Sequence, residues 1–251
     1  MTAFCTSRLV AHFYITEALQ QAAVGDRVAI DGAEARHAVT VSRIGVGESI
    51  SIGNGRGLVV TGPVVVAEHT ELSIEVETVS ETERSAPAVI LVQALAKGDR
   101  DELAVQVATE LGADAVIPWS ASRSISRWEG SKIAKGHDRW VAIAREATKQ
   151  SIRPWIPDVL DLVTTNQLAK LASATRMLVL EPTAEEALTA FQPGDEDVVI
   201  VVGPEGGIAP HELDALVAAG ASLVRLGDGV LRTSTAGPAA IAVLSAKLNR
   251  W

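Results

Sequence analysis

The stretch DVVIVVGPEGGIAPHELDALVAAG (Asp197–Gly220), followed by SLVRLGDGVLRTSTAGPAAIAVLSA (Ser222–Ala246), decides how the chain is read. VVIVV is a run of apolar β-formers bounded by turn signals, the pattern of a strand covered on both faces. Gly203, Gly206 and Gly207 follow it, and Pro210 with Glu212 then opens a helix. SLVRLG repeats the strand, and Leu226 to Thr235 forms an apolar, then hydroxylated loop before a helix of small residues starting from Thr235. The same alternation of strand and helix runs back through the chain: AVILVQAL, RDELAVQVATELG, AVIPW, KIAKGHDRWVAIAREATKQS, DVLDLV, NQLAKLA, RMLVLEP and AEEAL. Short apolar strands separated by amphipathic helices define an α/β domain with a mainly parallel sheet.

Residues 1 to about 80 read differently. DRVAI, ESISIGNGRGLVVTGPVVVAE and ELSIEVETV are short alternating strands with Gly-rich turns, a small β-rich module. GNGRG (Gly53–Gly57) lies between two strand patterns with no helix after it, so it reads as a hairpin turn and not as a phosphate loop. Ala33 to Val41 has a short helical pattern ending near Gly45. The polar stretch SETERSAPA (Ser80–Ala88) marks a linker, giving domains 1–84 and 85–251.

Composition narrows the function. The 251 residues are 47% apolar and carry 22 basic against 31 acidic side chains, a net charge of −9. That balance opposes a nucleic-acid partner, whose phosphates are met by Lys and Arg, but the charge is uneven. Residues 97–153 hold ten basic and eight acidic groups, and Arg123 to Arg153 alone has an excess of five. The single Cys5 excludes a disulfide scaffold, and no apolar run approaches the roughly 20 residues of a membrane span, so a cytoplasmic location is expected. The histidines show no metal-ligand spacing, and no metal is expected. GxGxxG, GxxxxGK and GxSxG are all absent, which removes support for dinucleotide, P-loop and seryl-hydrolase readings.

In open α/β sheets ligands bind beyond the carboxyl ends of strands. Three segments fit that position: RMLVLEP (Arg176–Pro182), Asp197–Gly207 and Leu223–Gly237. The pair GPEGGIAPHELDALVAAG and LGDGVLRTSTAGPAAIAVLSA resembles the cofactor-binding half of a SPOUT-class methyltransferase. KGDRDELAVQVATELGADAVIPWSASRS (Lys97–Ser124) and REATKQSIRPWIPDV (Arg145–Val159) further resemble the ribosomal RNA small subunit methyltransferase E family. The resemblance covers nearly the whole chain. It implies S-adenosylmethionine-dependent methylation of N3 of a uridine, position 1498 by convention, in 16S rRNA. It also implies a PUA-like β-barrel RNA-binding domain at the N-terminus, a trefoil-knotted C-terminal domain and a homodimer. Carried over by motif, the cofactor residues are Leu180 and Glu181 on the first loop, Gly203, Pro204, Glu205, Gly206 and Gly207 on the second, and Leu226, Gly227, Leu231, Arg232, Thr233, Thr235 and Ala236 on the third. Thr233 or Thr235 also suits the N-cap of the last helix.

The chain departs from the family pattern in three places: Gly229, Ser234 where a glutamate is common, and Lys149 in KQSIR where an acid is usual. For the chemistry, Arg232 is the first candidate to stabilise an anionic uracil, with pairing to Glu205 as its bland alternative. Glu205 is the candidate proton acceptor, and loop bracing explains it equally well. Arg8, Arg36, Arg43, Lys97, Arg100, Arg123, Arg127 and Arg153 are expected to converge as the face for 16S rRNA within the small subunit. Most of the five tryptophans are expected in packing, with base stacking open to Trp128 and Trp155. Two competing readings stay open: a related enzyme acting on tRNA or a ribose 2′-hydroxyl, and a non-catalytic ribosome-assembly factor.

Overall fold

The structure, a computed structural model, describes residues 12–251. Contacts divide the chain into two compact units, one comprising the chain up to Arg84 together with Thr148–Ile156, the other Ser85–Ala147 with Pro157–Trp251.

The first unit is built on β1 (Phe13–Ile15), β2 (Arg27–Asp31), α1 (Gly32–Arg36), β3 (Ser49–Gly53), β4 (Leu58–Ala67), β5 (Glu71–Glu75) and β6 (Thr78–Glu81). Its sheet runs β1-β3-β4-β5-β2, with β6 also on β4. Apolar alternation along β4 places Leu58, Val60 and Val64 in the core with Ile50, Ile52, Leu72 and Ile74. The helical pattern after β2 divides, α1 passing at His37–Val41 into a π-helical turn. ELSIEVETV, read as a single strand, breaks after Glu75: β5 pairs with β2 and β4, whereas β6 pairs with β4 alone. At the break Val76 N–H turns aside to donate to Asp26 O (2.9 Å).

GNGRG is the turn between β3 and β4, and its glycines have a further use. Residues 154–156 lie alongside it, Gly57 N–H donating to Pro154 O (2.9 Å) and Ile156 N–H to Gly55 O (3.0 Å). Gly57 has a positive φ (103°), and a Cβ there would stand 2.4 Å from Thr82 O and 3.0 Å from the Trp155 ring, so any other residue would collide with the Thr82 carbonyl and press on the strap formed by residues 154–156. Trp155 Nε1–H donates to Thr82 O (2.7 Å), and the Arg84 guanidinium lies 4.8 Å from the Trp155 ring centre.

The second unit contains β7 (Val89–Ala94), α2 (Arg100–Leu111), β8 (Ala115–Trp119), α3 (Ser131–Gln150, its last turn counted with the first unit), β9 (Asp158–Val159), α4 (Thr165–Ala172), β10 (Arg176–Leu180), β11 (Val198–Val202), α5 (Pro210–Ala218), β12 (Ser222–Val224) and α6 (Thr233–Lys247). Every pairing in its sheet, ordered β12-β10-β11-β7-β8-β9, is parallel. The five residues of β11 are buried, as their uninterrupted apolar run requires. Trp119 and Trp140 are fully buried, and Trp128 meets Trp140 edge-on with centroids 5.3 Å apart, whereas Trp251 is exposed.

Three local expectations are corrected. AEEAL does not form a helix: Arg225 Nη1 holds the Ala184 carbonyl (3.0 Å), Ala187 bridges to Arg225, and only Leu188–Ala190 coils, as a 3₁₀ turn. DVLDLV gives a strand of two residues, with Val163 returning as a lone bridge to Trp119. The last helix begins at Thr233, with Arg232 and not a threonine at its N-cap, because the Thr233 hydroxyl is committed elsewhere.

Lys149, the basic residue where an acid is usual, is buried in the first unit and meets Glu34 of α1 (Nζ–Oε1 3.0 Å). Burial raises the neighbouring Tyr14 phenol above its ordinary value, against the Ser42 hydrogen bond and the Lys149 charge. Lys149→Glu should cost about 3 kcal/mol, as expected when a buried pair becomes two carboxylates. The double variant Glu34→Lys/Lys149→Glu should recover most of that loss in urea unfolding; equal loss in both would show that the pair does not hold this packing.

Candidate functional site

Because β10, β11 and β12 are adjacent and parallel, the turns that leave them emerge at one edge of the sheet. There they enclose a cavity of about 430 Å³, within the range of sites for drug-sized ligands and cofactors. Of the expected cofactor residues, all but Gly206 and Thr235 line it. The Gly206 carbonyl accepts from Arg123 Nη1 (3.1 Å), and Thr235 is exposed on α6 with its N–H on Arg232 O (2.8 Å). Pro182, Val202, Ile208, Val224, Arg225 and Val230 also line the cavity and were missed. Ile208 alone had a readable signal, an apolar residue directly after the glycine turn.

Gly203 ends β11 in a bend where a Cβ would lie 2.6 Å from Ile208 Cγ1, which explains glycine at that position. The bend is bonded to the third loop. Thr233 Oγ1 donates to Gly203 O (2.8 Å) and accepts from Gln93 Nε2 (2.8 Å) at the end of β7. Gln93 is fully buried, and its amide oxygen is buried without a hydrogen-bond partner among the described residues.

The second loop is braced from the α2 side. Glu205 Oε1 accepts from Lys97 N–H (3.0 Å) and from Arg100 Nη1 (2.8 Å). Burial pushes the Glu205 carboxyl up, but bonds from its own N–H, Lys97 N–H and Arg100 outweigh this and leave its pKa below the ordinary value. Asp101 holds the same turn from beneath, accepting from Ala96 N–H (3.1 Å), and its burial raises its pKa. Lys97, Arg100 and Arg123 are thus gathered around residues 205–206, with Arg127 bonded nearby to Ser122 O (3.1 Å). Arg36, Arg43 and Arg153 belong to the first unit, the first two exposed, and Arg8 lies outside the described residues.

Arg232 is exposed at the cavity, and its guanidinium has no hydrogen bond or ion pair with any described residue; Glu205 pairs with Arg100 instead. Apolar walls from Leu180, Val202, Ile208, Leu226 and Leu231 suit a purine face, and Gly207 and Gly227 present backbone to the cavity. The cavity therefore fits a nucleoside-bearing cofactor such as S-adenosylmethionine. Among the described residues no group of three or more His, Cys, Asp or Glu side chains is placed to hold a metal ion, and no helix is long and apolar enough to cross a membrane.

An RNA methyltransferase domain model matches residues 83–245, and an RNA methyltransferase PUA domain model matches residues 30–77. Fold and site thus define an RNA methyltransferase of the SPOUT class with a PUA-like N-terminal module. Ribosomal RNA small subunit methyltransferase E of Mycobacterium bovis is 40% identical over 251 residues, 97% of this chain and 94% of the relative. The Bacillus subtilis protein of the same name is 30% identical over 243 residues, covering 93% and 95%. The crystal structure of ribosomal RNA small subunit methyltransferase E from Neisseria gonorrhoeae bound to S-adenosyl methionine matches with a TM-score of 0.83 at 28% identity, covering 94% of this chain and 97% of that one. The chain belongs to the ribosomal RNA small subunit methyltransferase E family.

Glu212, at the start of α5, fixes the turn beyond the second loop. It is buried, accepts from Ser122 N–H (3.0 Å) and Thr165 Oγ1 (2.6 Å) through Oε1 and from Ala209 N–H (3.2 Å) through Oε2. Burial raises its pKa, and the Thr165, Ser122 and Ala209 bonds bring it below the ordinary value. A carboxyl with a lowered folded-state pKa stabilises the protein above its unfolded value and loses that contribution as pH falls through the folded value. Glu212→Gln should therefore destabilise by about 1–3 kcal/mol at pH 7. The gap to wild type should close as urea unfolding is repeated below about pH 4, where the unfolded carboxyl takes up its proton; a gap independent of pH would contradict the assignment.

Proposed function

We propose that this protein transfers a methyl group from S-adenosylmethionine to N3 of a uridine, position 1498 by convention, in 16S rRNA of the small ribosomal subunit. The observation that carries the reading is the three-loop cavity at the carboxyl edge of the parallel sheet, with an Arg232 guanidinium beside it that no described residue pairs. The family supplies the rRNA substrate and the cofactor: relatives are named for small-subunit rRNA, and the Neisseria structure holds S-adenosyl methionine. We take residues 1–84 as the RNA-binding module and 85–251 as the methyltransferase domain, which we further propose to be trefoil-knotted, an arrangement chains rarely adopt. The working form is proposed to be a cytoplasmic homodimer.

The bound cofactor supplies an activated sulfonium methyl. Leu180, Leu226 and Leu231 would cover the adenine, with main-chain groups of the second and third loops bonding its edge. Holding both reactants in attack geometry is worth up to roughly 7–11 kcal/mol of barrier. The target nitrogen must also release its imino proton, which passes to solvent water, and an Arg232 cation beside the uracil carbonyl oxygens would favour the anion that results. Glu205 braces the second loop: its lowered pKa and its bonds to Lys97 and Arg100 make it a weak proton acceptor. Arg36, Arg43 and Arg153 in the first unit, and Lys97, Arg100, Arg123 and Arg127 in the second, are assigned to rRNA contact. Arg8 completes that set by its sequence position.

Labelled methyl transfer to assembled small subunits, naked 16S rRNA and tRNA, followed by nucleoside mass spectrometry, tests the reading. N3-methyluridine in small-subunit RNA alone is the expected result; label in tRNA or on ribose would replace the substrate. No label despite cofactor binding would overturn the 16S rRNA substrate and favour an assembly factor. Arg232→Ala should reduce turnover at least about 100-fold, the scale of one lost charge-stabilising donor, with S-adenosylmethionine affinity by calorimetry nearly unchanged. Parallel loss of both would place Arg232 in cofactor binding. Reversing the charges of Arg123 and Arg127 should weaken rRNA binding and flatten its salt dependence without unfolding the protein.

A further inference from the structure

β7 reads VILVQA, and every residue except Gln93 is apolar. Gln93 is completely buried, yet its amide oxygen has no hydrogen-bond partner among the described residues. A buried orphan acceptor is unfavourable, and an apolar side chain of similar volume would avoid it. The residue is therefore unexplained by core packing, and the explanation must lie with its other end.

That end is a directed chain of hydrogen bonds. Gln93 Nε2 donates to Thr233 Oγ1 at 2.8 Å and to Ala94 O at 3.1 Å, and Thr233 Oγ1 donates to Gly203 O at 2.8 Å. The hydroxyl has a single hydrogen. With that hydrogen on the Gly203 carbonyl, Thr233 can only accept from β7, so a donor must stand at position 93. Turning the amide over would set its oxygen against the hydroxyl lone pairs.

Gly203 and Thr233 come from the second and third loops, 30 residues apart in sequence, and both line the cavity. Gln93 stands behind them and does not line it. Thr233 is also the first residue of α6, immediately after Arg232, so its anchor fixes where the third loop ends. We infer that Gln93 is a positioning residue for the cofactor, setting the separation of the two loop walls through the Thr233 hydroxyl. This inference rests on the reading of the cavity as an S-adenosylmethionine site.

The test is calorimetric titration of S-adenosylmethionine into the full-length wild type and variants, with melting temperature and rRNA affinity measured alongside. Gln93→Leu should weaken cofactor binding about tenfold, the size of one buried hydrogen bond, while rRNA affinity and melting temperature stay close to wild type. Thr233→Val should bind at least as weakly, and adding Gln93→Leu to it should weaken binding no further, because both act through one hydroxyl. Thr233→Ser keeps the hydroxyl and should restore binding. Gln93→Glu supplies a readout that simple packing would not move. Only its protonated carboxyl can donate to Thr233, so its cofactor affinity relative to wild type should rise as pH falls, a ratio that cancels the titration of Glu205, Glu212 and the ligand itself. Gln93→Leu binding the cofactor as tightly as wild type would overturn the inference, as would a Gln93→Glu whose affinity relative to wild type stays unchanged across the pH range in which its carboxyl ionises. If Gln93→Leu does not fold, the pH series of Gln93→Glu decides alone. A wild type that takes up no S-adenosylmethionine overturns the cofactor reading itself, and the inference falls with it.

Discussion

Parallel pairing of β10 with both β11 and β12 is the constraint on which the rest of the second unit depends. Parallel strands cannot be joined by tight hairpins, so β10 and β11 are followed by crossovers, and β12 by the loop that leads into α6. All three connections begin at the same edge, which brings together residues from 181–182, 203–208 and 225–232 although they are far apart in sequence. β10 and β11 can lie inside the sheet only because they are apolar on both faces, with Met177, Leu178, Val179 and the whole of β11 buried. The site is therefore a by-product of how a parallel sheet must be connected, and the side chains of the loops refine it.

Loops at such an edge have no ladder of their own, so polar side chains must fix them. The first loop is held by Arg225 on the Ala184 carbonyl and by Glu181 N–H on Val224 O (3.0 Å). Glu205 ties the second loop to the Lys97–Arg100 turn, and Glu212 holds the start of α5 to Ser122 and Thr165. Thr233 then joins the second loop to the third. Both glutamates have lowered pKa values because the groups around them are donors, so the bracing weakens on the acid side and not on the alkaline side. Arg232 has no such duty among the described residues, and that leaves its charge available to a ligand.

Much of this was legible in the chain. VVIVV, RMLVL and AVIPW declare buried strands by their lack of alternation, and GPEGG and GNGRG declare turns. What was not legible depends on partners distant in sequence. AEEAL has helical composition, but Arg225 takes the Ala184 carbonyl, which a helix would have used. Thr233 looks like an N-cap until Gln93 and Gly203 claim its hydroxyl. GNGRG reveals a turn but not the Thr82 carbonyl and the strap at 154–156 that close over Gly57. Gln93 was visible as the one polar residue in AVILVQALA, and the pattern of apolar residues around it concealed its importance.

The basic excess between Arg123 and Arg153 shows how far charge counting reaches. Lys149 is buried against Glu34, so the reversal from acid to base at that position is answered within the first unit and adds no exposed charge. Arg139 gives two hydrogen bonds to Glu102 Oε2 (2.9 and 3.1 Å), which raises its pKa and occupies part of its donor fork. Arg123 keeps one nitrogen on the Gly206 carbonyl, and Arg127 keeps one on Ser122 O. An arginine that spends one nitrogen on a carbonyl retains its full charge and its remaining donors, and its position is fixed in return. A chain with a net charge of −9 can therefore present phosphate-binding groups at a loop edge, since affinity for RNA follows the local placement of cations and not their sum over the molecule.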